Sequence, residues 1–244
     1  VADLIGEYRR ARKDPDDPFF LPDAWSLILG EAVMVGFIFA SVLVILLVAA
    51  EFSWRTARQN VIDGLSKTQW YWAKVLLVPL LSALFLALRA AIGGSFALAG
   101  TDLSAGGEWF GAAQLAALGG MFVTGLGFAS LALFVAVAIR ASGPAMAVWF
   151  AWFAFGERLV VGGLGALFEG WRPILKWAPI MTFSRLPDYI QYDREALRRA
   201  AERAVEQERP VPELEALGPA FAGSFLWIAA LLVFGWLWYR KRDL

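Results

Sequence analysis

Cysteine and histidine are both absent from this sequence. Without cysteine the chain can form neither disulfides nor thiolate metal sites, and without histidine it lacks the usual base of a nucleophile–base pair. Histidine-ligated zinc and haem are excluded for the same reason. The sequence also has no phosphate-loop, G-x-S-x-G or H-E-x-x-H motif. We therefore expect no enzymatic activity, no metal site and no cofactor.

Charge is scarce and balanced. Charged residues make up 18% of the chain and the formal net charge is zero, so no basic excess indicates nucleic-acid binding. Hydrophobic residues make up 59%, and they are grouped in runs long enough to cross a bilayer core of about 30 Å. This composition predicts an all-α, polytopic bundle of membrane helices.

Five apolar segments are candidate membrane spans, with polar sequence before the first and before the last. We place the spans at about 26–50, 70–92, 109–139, 144–167 and 219–239, and the polar segments at 1–24 and 168–218. The spacing of apolar residues over 193–208 predicts an amphipathic helix. The favoured interpretation is a solvated helix that covers the span ends. Five spans put the two termini on opposite sides.

The orientation follows from the short loops. Eight basic residues share one predicted side: Arg55, Arg58, Lys67, Lys74, Arg140, Arg240, Lys241 and Arg242. The opposite side carries more basic residues in total, but in long acid-rich segments where the positive-inside rule is weaker. We therefore predict that 51–74 and the C-terminus are cytoplasmic and that 1–24 and 168–218 are external.

The stretch between the first two spans, EFSWRTARQNVIDGLSKTQWYWAK at 51–74, is longer than a simple turn. Ser53 is a suitable helix N-cap and Gly64 a suitable helix stop. Between them Trp54, Ala57, Val61 and Leu65 form an apolar stripe, and Ser66 with Gln69 forms a capping box for the next helix. The pattern predicts a surface helix at about 53–64 that either docks a cytoplasmic partner or anchors the loop.

These residues resemble the permease subunits of ABC-2 type transporters. The family motif, E-x-x-x-(G/R)-T-x-x-(Q/L) followed by a G-x-S-(R/K) turn and an Ala-Lys, matches Glu51, Arg55, Thr56, Gln59, Gly64, Ser66, Lys67, Ala73 and Lys74. The C-terminal YRKRDL is a second similar feature. The resemblance implies that the surface helix is a coupling helix that sits in a cleft of an ATPase subunit. It implies ATPase contacts for Glu51, Arg55, Thr56, Arg58, Gln59, Asn60, Asp63 and Gly64.

The resemblance further implies a permease, expected to be an exporter of the bacterial inner membrane, that works as a homodimer or heterodimer with two ATPase subunits. Such permeases have six spans, so we expect the family's first span to be missing from these 244 residues. ATP hydrolysis is expected on the partner chain. The alternative is a membrane scaffold that docks a cytoplasmic partner through the same helix without transport.

Four charged residues fall inside the predicted spans: Glu31, Arg89, Glu157 and Arg158. A charge in lipid is costly, so each must face protein, water or a headgroup. Glu31 and Arg89 lie near span ends, whereas Glu157 and Arg158 lie near the middle of the fourth. We hypothesise that Glu157 pairs with Arg89 across the bundle. A role in a transport path remains the other interpretation.

Overall fold

The computed structural model describes residues 28, 33–100, 110–168, 170, 175, 177–191 and 217–242, and the regular structure in them is entirely helical. This confirms the predicted all-α bundle. The helices are α1 (Val33–Ser53), α2 (Thr56–Ile62), α3 (Lys67–Val75), α4 (Leu77–Gly100), α5 (Ala112–Ile139), α6 (Ser142–Ala151), α7 (Glu157–Leu167), α8 (Pro179–Gln191) and α9 (Leu217–Lys241), with a π-helix at Trp152–Gly156 between α6 and α7. The N-terminal segment 1–24 and the predicted amphipathic helix at 193–208 lie outside the described residues.

Four helical stretches of the described chain are long and apolar enough to cross a membrane: Val35–Ser53, Lys67–Ala99, Gln114–Ile139 and Gly218–Lys241. The predicted fourth span at 144–167 is not among them. There the chain forms α6, the π-helix and α7 in succession, and the longest of these pieces has 11 residues. The described residues thus contain four candidate spans where five were predicted.

Helix α5 lies at the centre of the bundle and contacts α1, α4, α8 and α9. Its apolar window is 72% buried, against 39% for α1, 17% for α3–α4 and 28% for α9. The surrounding helices turn large apolar side chains outward, including Phe39, Leu47, Leu80, Leu84, Ile92, Phe96, Leu226 and Phe234. Apolar faces of this extent suit a helix bundle that is surrounded by lipid.

Two glycines allow neighbouring helices to approach α5 closely. A Cβ atom at Gly125 would lie 2.7 Å from the ring of Phe37 on α1. A Cβ atom at Gly127 would lie 2.5 Å from the ring of Phe183 on α8. Both distances are shorter than van der Waals contact, so both aromatic rings occupy space that any other residue would fill.

The second predicted span is longer than expected and is divided into α3 and α4 at Leu76. Pro79 accounts for the division, because a proline has no N–H to donate to the carbonyl four residues earlier and its ring crowds that carbonyl. The carbonyl concerned belongs to Val75, the last residue of α3.

Helix α8 was not anticipated from the sequence, which placed residues 179–191 inside one polar segment. Phe183 and Leu186 on this helix are completely buried, and the helix contacts α5 and α9. The segment contains enough polar residues that its short apolar face is not evident from the sequence, and only the packing against α5 and α9 shows it.

Candidate functional site

The surface helix α2 begins later than predicted. Ser53 is the last residue of α1, and its Oγ donates to the carbonyl of Ala49 at 3.2 Å. The N-cap position is Arg55, which has a left-handed backbone (φ 59°) and no side-chain cap. The predicted N-cap role of Ser53 is therefore wrong. The hydroxyl is satisfied by its own helix, and the left-handed residue separates the two helices.

The end of α2 agrees with the helix stop that was predicted at Gly64. Gly64 has φ 106°, a conformation that glycine adopts without strain. The N–H of Leu65 donates to the carbonyl of Asn60 at 3.0 Å, and the N–H of Gly64 donates to that of Val61 at 3.2 Å. These two bonds define a Schellman motif. The polypeptide therefore leaves α2 in a fixed direction.

The capping box at the start of α3 is confirmed. The N–H of Gln69 donates to Ser66 Oγ at 3.2 Å, and the N–H of Ser66 donates to Gln69 Oε1 at 3.0 Å. Both ends of the connection from α2 to α3 are therefore held by local hydrogen bonds.

The exposed face of α2 carries most of the residues that the family resemblance assigned to ATPase contact. Arg55, Thr56, Arg58, Gln59, Asp63 and Gly64 are exposed, whereas Asn60 is half-buried. Ala57 is buried, as the apolar stripe predicted, but Trp54 is 77% exposed. Trp54 precedes the first helical residue, so it is out of register with Ala57 and Val61. The outward surface therefore combines two arginines, a glutamine and an acid with one large indole.

Glu51 lies beneath this surface and is held by two partners on α3. Its Oε1 forms an ion pair with Lys74 Nζ, and its Oε2 accepts from Trp70 Nε1 at 2.9 Å. Lys74 Nζ also lies 5.4 Å from the centroid of the Trp70 ring. Glu51 does not reach the exposed face of α2 but links the end of α1 to α3. The contact with an ATPase subunit that the resemblance implies for Glu51 stays a prediction.

Four aromatic residues next to Glu51 form what we call the aromatic cluster: Phe52, Trp70, Tyr71 and Tyr239. The Trp70 ring stacks on that of Tyr239 with centroids 4.9 Å apart, and Phe52 meets Trp70 edge-on at 5.2 Å. Tyr71 donates from its hydroxyl to the carbonyl of Leu232 at 2.7 Å. The cluster therefore joins the ends of α1, α3 and α9.

Arg140 connects α5 to the aromatic cluster. It is the C-cap residue of α5 in a left-handed conformation (φ 62°), and its guanidinium carbon lies 5.2 Å from the Phe52 ring and 5.9 Å from the Tyr239 ring. Both separations are within the range of cation–π attraction. In the sequence Arg140 is only a loop charge, and Tyr239 is only the end of a predicted span. Arg140 is more than about 80 residues from Phe52 and from Tyr239 in sequence, so no local pattern indicated these contacts.

The end of α9 is tied to the same region. Lys67 Nζ donates to the carbonyl of Arg242 at 2.9 Å, and Arg242 Nη1 donates to the carbonyl of Ala138 at 3.1 Å. Residues from α3, α5 and α9 thus meet on the same side of the bundle as α2.

The charges inside the predicted spans do not pair as hypothesised. Both oxygens of Glu157 accept backbone N–H groups at the start of α8, from Ile180 at 2.9 Å and from Met181 at 2.6 Å. Arg89 donates from Nε to the carbonyl of Ile28. Among the described residues the only ion pair is that of Glu51 and Lys74, so a pair of Glu157 with Arg89 is excluded. Glu157 instead caps a helix from another part of the chain.

Glu31 lies outside the described residues. Arg158 is the second residue of α7, where only the backbone is described.

An apolar cavity of about 610 Å³ lies beside the π-helix. It is lined by α5, α6, the first residue of α8 and α9, and the large side chains are Phe134, Trp149, Trp152 and Trp227. Its volume is within the usual range for small-molecule sites. The sequence indicated no residue of this lining, because a cavity forms only where several helices meet.

Comparison of this chain with protein-family models, with curated proteins and with solved structures gave no match.

Proposed function

We propose that this chain is the membrane-spanning permease subunit of an ATP-driven transporter of the ABC-2 type, and that α2 is its coupling helix. A separate ATPase subunit binds the exposed face of α2, and its closure moves the membrane helices. In this proposal the predicted fourth span crosses the membrane as α6, the π-helix and α7. The working unit is a permease dimer with two ATPase subunits, and the direction is export.

The observation that supports the proposal most directly is the connection beneath α2. A helix that only anchors a loop needs no rigid link to the bundle. Here Glu51 joins α1 to α3 through Lys74 and Trp70, and the aromatic cluster adds α9 and, through Arg140, α5. A force applied to α2 therefore reaches the ends of four helices, three of them long enough to cross a membrane.

The exposed face of α2 is suited to a water-facing partner. Arg55 and Arg58 are exposed, and among the described residues neither is in an ion pair. Gln59 Nε2 donates to Asp63 Oδ1 at 2.9 Å, which keeps both side chains along the helix rather than over the arginines. Two unpaired cations beside the exposed Trp54 are the kind of group that dominates protein interfaces.

The test is to purify the tagged full chain from its own membranes in mild detergent and identify the proteins that accompany it. We expect an ATPase subunit, and we expect the double substitution Arg55→Glu with Arg58→Glu to remove it. The double substitution Arg55→Lys with Arg58→Lys keeps both charges and serves as the control, which should retain most of the ATPase.

The reconstituted complex then separates a transporter from a scaffold. In proteoliposomes the coupled complex should hydrolyse ATP faster when transported substrate is present, and the Glu variants should lose that stimulation. Co-purification of a partner without a nucleotide site, or hydrolysis that is indifferent to the Glu substitutions, would leave the scaffold as the better assignment.

A further inference from the structure

We propose that the last turn of α9 binds the headgroup of an anionic phospholipid through Arg240 and Lys241, with Arg242 as a fixed neighbour. The inference rests on the membrane placement proposed above and not on the docking of α2.

The first observation is where these cations lie on the helix. Leu226, Val233, Phe234 and Leu237 are 69%, 47%, 62% and 37% exposed and form the outward apolar face of α9. Arg240 and Lys241 follow Leu237 by three and four residues, so they continue this face by one turn. Both are exposed. In a bilayer, the face that contacts acyl chains ends on two cations at headgroup level.

The second observation is that neighbouring indole rings hold the arginines. The guanidinium carbon of Arg240 lies 5.4 Å from the Trp236 ring centroid, and that of Arg242 lies 4.5 Å from the Trp238 ring centroid. Contact with a ring face leaves the N–H groups at the guanidinium edge able to donate. Arg242 is fixed further through Lys67 and Ala138. This ordering lowers the entropy that anion binding would cost.

The third observation concerns charge. In the described part of the chain no carboxylate pairs with Arg240, Lys241 or Arg242, because the only ion pair there is that of Glu51 and Lys74. Asp63 on the same side accepts from Gln59. Asp243 follows these cations in sequence and lies outside the described residues. A phosphodiester supplies the missing negative charge and accepts several hydrogen bonds at once.

The continuity of cations with an apolar face favours a lipid over a soluble anion. A free phosphate uses the charges alone, whereas a phospholipid uses the charges and the outward face of α9 together. Tryptophans such as Trp238, which is 46% exposed, are typical of the membrane–water boundary.

The experiment titrates phosphatidylglycerol into the purified full chain in neutral detergent and counts bound lipids by native mass spectrometry. The double substitution Arg240→Gln with Lys241→Gln removes two charges, and we expect the apparent affinity to fall on the order of 30-fold. The control is Arg55→Gln with Arg58→Gln, which removes two charges on the same side of the bundle but away from the apolar face of α9. This variant should bind phosphatidylglycerol like the wild type. Phosphatidylcholine should bind weakly to all three proteins.

Several outcomes would overturn the inference. Wild-type affinity in the Arg240/Lys241 variant would do so, as would an equal loss in both variants, which would indicate a general charge effect. Competition by inorganic phosphate at fixed ionic strength would assign the site to a soluble anion instead. A second variant covers the case in which the neutral variant folds poorly. The exchange variant Arg240→Lys with Lys241→Arg keeps both charges, and its binding should stay near that of the wild type. No ATPase takes part, so failure of the docking proposal leaves this result unaffected.

Discussion

Glu51 and Lys74 are 23 residues apart in sequence and form an ion pair between the end of α1 and the end of α3. The connection between them contains α2, whose exposed face we propose as the docking surface. The pair therefore closes a loop around α2 at its base. Because both side chains are largely shielded from solvent, the pair is less screened than a surface salt bridge.

Loss of either partner of this pair should destabilise the protein. For Glu51→Gln and Lys74→Met we expect losses that are strongly non-additive, with an interaction energy of about 1–3 kcal/mol in a double-mutant cycle. The measurement is equilibrium unfolding of the two single variants and the double variant in the same detergent. Additive losses would show that the two groups are stabilised by other neighbours.

The two buried tyrosines of the aromatic cluster should respond differently to loss of their hydroxyl groups. The Tyr71 hydroxyl donates to the carbonyl of Leu232, so Tyr71→Phe should cost about 1 kcal/mol. The buried Tyr239 hydroxyl has no hydrogen-bond partner among the described residues, so Tyr239→Phe should change stability by less than about 0.5 kcal/mol.

Tyr239→Ala provides the control for ring packing at the same position. It removes the ring that stacks on Trp70 and should cost about 3 kcal/mol. Thermal unfolding followed by tryptophan fluorescence gives all three values. Equal costs for the two Phe variants would contradict the assigned hydroxyl bond.

Glu157 should behave as a helix cap rather than as an ion-pair partner. Glu157→Leu leaves the N–H groups of Ile180 and Met181 without their acceptor and should cost about 2–5 kcal/mol, whereas Glu157→Gln keeps one acceptor and should cost less. The cycle of Glu157→Gln with Arg89→Gln should be additive within about 0.5 kcal/mol. A large coupling energy in this cycle would instead support the pair of Glu157 with Arg89 across the bundle.

Gly127 should tolerate no side chain. A Cβ there would lie 2.5 Å from the Phe183 ring, so Gly127→Ala should push α8 away from α5 and cost about 1–3 kcal/mol. Gly119 lies on the same helix, and apart from its chain neighbours and the adjoining helix backbone no atom of the described residues lies within 4 Å of its Cβ position. Gly119→Ala is therefore the matched control and should be neutral or stabilising by up to about 1 kcal/mol. Comparison of the two unfolding midpoints checks the prediction, and equal midpoints would contradict it.

The features that could be read from the sequence are those with local causes. The all-α class follows from apolar runs of bilayer length. The stop at Gly64 and the capping box at Ser66 and Gln69 depend on residues within one or two turns, so composition and spacing suffice to predict them. Ser53 shows the limit of this approach, because a serine after an apolar run fits both the end of one helix and the start of the next.

The remaining features depend on contacts between distant parts of the chain. The residue types in EFSWRTARQNVIDGLSKTQWYWAK predicted a helix, a stop and a second helix. They did not indicate that Trp70 stacks on Tyr239, that Arg140 reaches the aromatic cluster, or that Glu157 caps α8. These contacts arise because side chains far apart in sequence share one end or one layer of the bundle, and only tertiary packing brings their atoms within hydrogen-bonding or van der Waals distance.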